Sequence, residues 1–230
     1  MRSILLMEFW GTFRRLHISL PIIILPSIIL YFSTFFPVDR PVFLFSSVFI
    51  LQLLLLISPI LSSELLRGGW RLLYQAGIFN KTSKITLLIL LSPIPMITPT
   101  VFLFTIVYFL LLPNSFWSSF KFVSLLMIGI LSYSLGTFFK GLVGGDDGAL
   151  IACLTYEAFL LPSFLASYLY PNLNALTTLW PGLMLMNSII DIMNTQPRLE
   201  LAMISSLETL IIYFLLSIAS SWLLTRRVNL

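Results

Sequence analysis

Few side chains in this sequence are of a type and placement that could do chemistry. Three carboxylates stand in apolar surroundings: Glu157, Asp191 and Glu208. An acid near the centre of a membrane helix costs about 3 kcal/mol, so each is a functional candidate by default. A negative or protonatable lining could receive a cationic amphiphile such as a peptide or a drug. The alternative role is packing, with each acid bonded to Ser, Thr or Tyr of a neighbouring helix, for example Thr155 or Tyr156 of a second copy. Catalysis has no comparable set of residues. His17 and Cys153 are each the sole residue of their type, which leaves no paired imidazoles for haem or zinc, no disulfide framework and no metal cluster. There is no Ser/His/Asp set and no phosphate-cradling glycine loop carrying a lysine. The run Gly144 to Gly148 (GGDDG) lacks a following Lys-Ser/Thr and a preceding strand, and reads as a tight turn. The expectation is a chain that is not an enzyme, with no catalytic residue, no metal ligand and no cofactor of its own.

The elements that must position these acids are set by composition. The chain is 58% hydrophobic and 10% charged, against roughly 45–50% and about 25% in soluble domains. Crossing a hydrocarbon core of ~30 Å takes ~20 apolar residues at ~1.5 Å of rise each. Several runs of that length are present, continuous rather than alternating, which selects helices and excludes a barrel. The expected fold is an all-α integral membrane protein forming a single domain over residues 1–230. The net charge of +4 is spread over short loops beside spans, where basic residues orient a membrane protein; it is not a nucleic-acid signal. The first apolar run is too long for a signal peptide and has no cleavage site.

In chain order, residues 1–17 read as an interfacial helix, with Leu5, Leu6, Phe9, Trp10, Phe13 and Leu16 at helical spacing. Spans are expected at 18–36, 42–61, 85–112, 120–139, 149–169 and 201–224. The first should be bent by Pro21 and Pro26, and the third broken or tilted by Pro93, Pro95 and Pro99. Residues 174–193 are apolar but interrupted by Trp180-Pro181-Gly182 and Asp191, which favours a re-entrant or interfacial hairpin over a seventh span. Charge supports six spans with both termini cytosolic. Arg2, Arg14, Arg15, Arg67, Arg71, Lys81, Lys84, Lys140, Arg226 and Arg227 then lie inside, against Arg40, Lys121 and Arg198 outside, ten to three. The expected location is the plasma or inner membrane, crossed several times.

Between the second and third spans stands the longest polar interruption, residues 62–84 (SSELLRGGWRLLYQAGIFNKTSK). It runs from Glu64 through Arg67 and Gly68-Gly69 into an amphipathic stretch with Trp70, Leu72 and Leu73, and closes on Lys81 and Lys84. This layout resembles the first cytosolic loop of ABC type-2 export permeases. It departs from the family pattern where Trp70 follows Gly69 in place of Thr or Ser, and where Gln75-Ala76-Gly77 stands in place of a proline. The order of parts along the chain is also similar to that family: an interfacial helix, six spans, a loop after the second and a hairpin before the last. The resemblance implies that the loop helix docks in a separate cytosolic ATPase subunit, through Glu64, Arg67, Trp70, Leu73 and Tyr74. It also implies a second permease subunit, identical or not, surrounding membrane lipid, and ATP with Mg on the partner ATPase. The expected activity is ATP-driven export of a hydrophobic or amphiphilic cargo (peptide, lipid or drug), since the spans show no continuous polar lining for small ions. Two other readings fit less of the chain. One is a subunit like the haem exporter B of cytochrome c maturation, with similar length and span count. The other is a membrane-embedded enzyme or its accessory subunit, which would want a His/Asp/Glu cluster that the sequence lacks.

Overall fold

The computed structural model describes residues 10–11, 14–32, 34–36, 40–62, 82–111, 118–169 and 199–228. Every regular element among them is an α-helix: α1 Leu16–Phe32, α2 Arg40–Ser62, α3 Thr82–Leu91, α4 Ile94–Leu111, α5 Ser118–Val143, α6 Asp146–Leu169 and α7 Leu199–Val228. Among the described residues four stretches are long and apolar enough to cross a membrane: Phe43–Ser62, Ile85–Leu111, Phe122–Val143 and Leu207–Arg226. His17–Phe32 is a shorter apolar helix. The chain is therefore a multi-pass helical membrane protein by length and composition of its helices.

Hydroxyl side chains do not break these helices, because they bond back to their own turn. Ser62, Thr100, Thr105, Ser132, Thr137 and Thr225 each donate to the carbonyl four residues earlier, at 2.6–2.9 Å. Back-bonding of this kind hides a polar group where no water can serve it.

The same device repairs two prolines. A proline lacks an N–H for the carbonyl four residues before it, so Pro59 strands Leu55 O and Pro93 strands Ile89 O. In both cases the preceding serine supplies the missing donor: Ser58 Oγ to Leu55 O and Ser92 Oγ to Ile89 O, each at 2.9 Å. At Pro59 helix α2 continues. At Pro93, with Pro95 close behind, the helix is interrupted between α3 and α4, as the proline cluster predicts. The Tyr213 hydroxyl of α7 then donates to Leu90 O beside the break.

Helix α5 is the centre of the bundle, packed against α2, α4, α6 and α7; α1 covers α2 and α4, and α7 also holds α3. The core runs through Val48, Leu51, Leu55, Val101, Phe104, Ile128 and Leu131, all fully buried. Among the described glycines the closest approach is at Gly136, where an added Cβ would stand 1.9 Å from Leu56 O and 3.1 Å from Pro59 Cγ. Only glycine lets the two backbones approach that closely.

The two ends of the bundle differ chemically. At one end Arg15 Nη1 donates to Leu61 O at 3.4 Å, Thr86 and Ser221 hydroxyls bond at 2.8 Å, and Gly141 lies against Leu223. These contacts gather the start of α1, the end of α2, the start of α3 and the ends of α5 and α7. At the other end Phe36 stacks on Phe43 at 5.4 Å and Tyr31 meets Phe35 edge-on at 5.7 Å. Helix α6 starts at the polar end and α7 finishes there, so Leu169 and Leu199 both lie toward the aromatic end.

The turn expected over 144–148 is shorter than the sequence suggested. Gly144, at φ 84°, ends α5, and its N–H reaches Lys140 O at 3.0 Å. That is a left-handed helix cap, which glycine adopts without a Cβ penalty. Asp146 and Asp147 are not turn residues but the first turn of α6, where carboxylates complement the helix dipole. Asp146 pairs with Lys140 across the turn.

Candidate functional site

Helix α2 brings the carboxamide of Gln52 into a mostly apolar run, and helix α6 brings the carboxylate of Glu157, well beyond Asp146 and Asp147 in its first turn. Glu157 lies 11 residues past the start of α6 and Gln52 lies 10 before the end of α2, or about 15–16 Å from the polar end by ~1.5 Å per residue. That distance compares with about half the thickness of a ~30 Å hydrocarbon core. Because α2 and α6 are antiparallel neighbours, the two side chains meet. Gln52 Nε2 donates to Glu157 Oε1 at 3.0 Å, with Gln52 wholly buried and Glu157 5% exposed.

This pair is incompletely satisfied. Among the described residues, Gln52 Oε1 and Glu157 Oε2 are buried without a hydrogen-bond partner, and so is the neighbouring Tyr156 hydroxyl. Tyr156 packs its ring on Phe139 of α5 at 5.6 Å. Cys153, one turn before Glu157 on the same helix face, is buried and free. Buried polar atoms without a partner are costly and rare in native structures, so each calls for a physical account. Thr155 is not a partner: it faces outward and donates to its own Ile151 O at 2.8 Å.

The remaining candidates fall elsewhere. Glu208 is half-buried on α7, whose main neighbours are α5 and α3, and forms a separate position. Asp191 lies outside the described residues, as do Glu64, Arg67, Trp70, Leu73 and Tyr74. What the structure does describe is the polar end of the bundle, where α2 ends and α3 begins. It comprises the end of α2 with Arg15 on Leu61 O, the Lys140–Asp146 pair, and Arg226 over the Trp222 ring at 5.2 Å. Arginine at a helix C-terminus is favourable against the dipole, and the Trp–Arg stack suits an interface between hydrocarbon and water. Among the described residues no group of three His, Cys, Asp or Glu is placed to hold a metal ion.

Reading residue types alone missed Gln52, Ser58, Ser92 and Tyr213. Gln52 carried a usable signal, as the sole carboxamide within 42–61. The two serines also carried one, in the repeated Ile57-Ser58-Pro59-Ile60 and Leu91-Ser92-Pro93-Ile94. Tyr213 carried none, since its role depends on which helix packs beside the break. Comparison with protein-family models, with curated proteins and with solved structures finds no match to this chain.

Proposed function

We propose that this chain is the membrane-spanning subunit of an ATP-driven ABC exporter, moving a hydrophobic or amphiphilic cargo outward. The observation that carries the reading is the amphipathic segment 62–84, set between two apolar helices whose facing ends gather Arg15, Lys140 and Arg226. A soluble ATPase would grip that segment from the cytosol, through Glu64, Arg67, Trp70, Leu73 and Tyr74. Its closure would be passed to the bundle as a rigid-body displacement, the hinge or shear motion that alternating access needs. Six spans with both termini cytosolic agree with the alternating helix directions and put the basic end inside. An even number of crossings also follows if residues 170–198 leave and re-enter at the aromatic end, which is what a hairpin at 174–193 provides. The outward apolar face of α7, with Leu207, Ile211, Phe214, Leu215 and Ile218 each more than half exposed, is suited to lipid or to a second permease subunit.

The test is co-expression with the nucleotide-binding subunit encoded nearest to it, followed by purification in detergent. The reading expects the two to co-purify and the complex to hydrolyse ATP. It expects Leu73→Glu with Tyr74→Glu to abolish co-purification without loss of membrane insertion. Recovery of the chain free of any ATPase, with wild-type and variant indistinguishable, would remove it.

A further inference from the structure

We infer that Glu157 and Gln52 form a proton-holding site, in which Glu157 is kept as the carboxylic acid and the two side chains exchange a reciprocal pair of hydrogen bonds. The inference rests on the described helices and does not depend on the transport reading. One half of the pair is present: Gln52 Nε2 donates to Glu157 Oε1 at 3.0 Å. The two oxygens left over, Gln52 Oε1 and Glu157 Oε2, are both buried and both without a donor. An ionised carboxylate and an amide oxygen are both acceptors only, so they cannot serve each other. A single proton on Glu157 Oε2 turns one acceptor into a donor and satisfies both atoms without needing any volume.

Among the described residues around Glu157, none is a free cation that would neutralise it. Around Glu157, helix α6 itself presents Cys153 and Tyr156. Helix α2 presents the carboxamide of Gln52, and no titratable side chain lies between Phe43 and Ser62. On α5 the described titratable groups are Tyr133 and Lys140, and Lys140 is tied to Asp146 beside the turn. The proton is therefore what closes the joint between α2 and α6. Losing it would leave an ionised acid at mid-depth facing an amide oxygen, which pushes the two helices apart.

The experiment is infrared spectroscopy of the purified, lipid-reconstituted protein at neutral pH, with thermal unfolding alongside. The wild type should show the carbonyl stretch of a protonated carboxylic acid. Glu157→Gln should delete that band and, as an amide–amide pair with the same two bonds, should unfold within about 2 °C of wild type, under 1 kcal/mol for a chain of this size. Gln52→Leu should keep the band but move it to the position of a carboxylic acid with a lost hydrogen bond, and should unfold several degrees lower. The inference is overturned if Glu157→Gln removes carboxylate absorption instead of acid absorption, or if it destabilises the protein as much as Glu157→Ala. If Gln52→Leu fails to fold, the difference between wild type and Glu157→Gln still decides the protonation state.

Discussion

Replacing Gly136 by alanine tests the helix packing directly. The new methyl would stand 1.9 Å from Leu56 O and 3.1 Å from Pro59 Cγ. A carbon and a carbonyl oxygen approach to about 3.3 Å at best, as in Cα–H···O contacts, so α5 and α2 must separate by more than an ångström. The carbonyl belongs to continuous helix backbone one turn before Ile60, so it cannot rotate aside as a side-chain tip would. Overpacking of a fitted core costs about 1–3 kcal/mol, and this contact lies at the upper end. At ~2–4 °C per kcal/mol for a chain of this length, 3 kcal/mol corresponds to a fall of about 6–12 °C in Tm. Two other glycines calibrate the result. Gly129→Ala meets side-chain atoms at 3.1 and 3.3 Å and should cost less, because Ile97 and Leu55 can yield. Gly145→Ala meets nothing within 4 Å and should be neutral. Fluorescence-detected thermal unfolding in one detergent ranks the three. A Gly136→Ala protein as stable as Gly145→Ala would refute the close α2–α5 crossing.

Ser58→Ala and Ser92→Ala each strand a carbonyl that a proline has already left without its N–H, and each should cost about 1 kcal/mol in thermal unfolding. Tyr213→Phe should cost about 1–2 kcal/mol by removing the donor to Leu90 O, and hydrogen exchange around residues 88–92 should rise with it. Lys140→Met should lower stability by about 1 kcal/mol or less, more at low than at high salt, because Asp146 is 45% exposed and well screened. Leu73→Glu with Tyr74→Glu should abolish ATP-dependent export in vesicles while membrane insertion stays at wild-type level.

What could be read in the sequence was decided by local, additive physics. Apolar run length located the helices, and the cluster Pro93, Pro95, Pro99 announced the interruption at Ser92–Pro93, because a missing N–H acts on its own turn. The same reasoning found Glu157, since a carboxylate in hydrocarbon is conspicuous by type. Its partner was not legible, because pairing Gln52 with Glu157 depends on which helix lies beside α6 and at what depth. The acidic run was misplaced for a related reason. Gly144 alone turns the chain, and Asp146 and Asp147 then gain from sitting at a helix N-terminus, a preference that spacing within GGDDG does not reveal. The tight contact at Gly136 is likewise invisible until Leu56 O is placed opposite it.

The proposed function makes residues 62–84 a lever on the cytosolic side, gripped by a separate ATPase. It is tested most directly by placing one cysteine at position 70 in a Cys153→Ala background, which has no other cysteine, and labelling it with a membrane-impermeant maleimide. Trp70→Cys should react in inverted vesicles and not in intact cells, and bound nucleotide-binding subunit should protect it. Labelling of that cysteine from the outside of intact cells would contradict the claim.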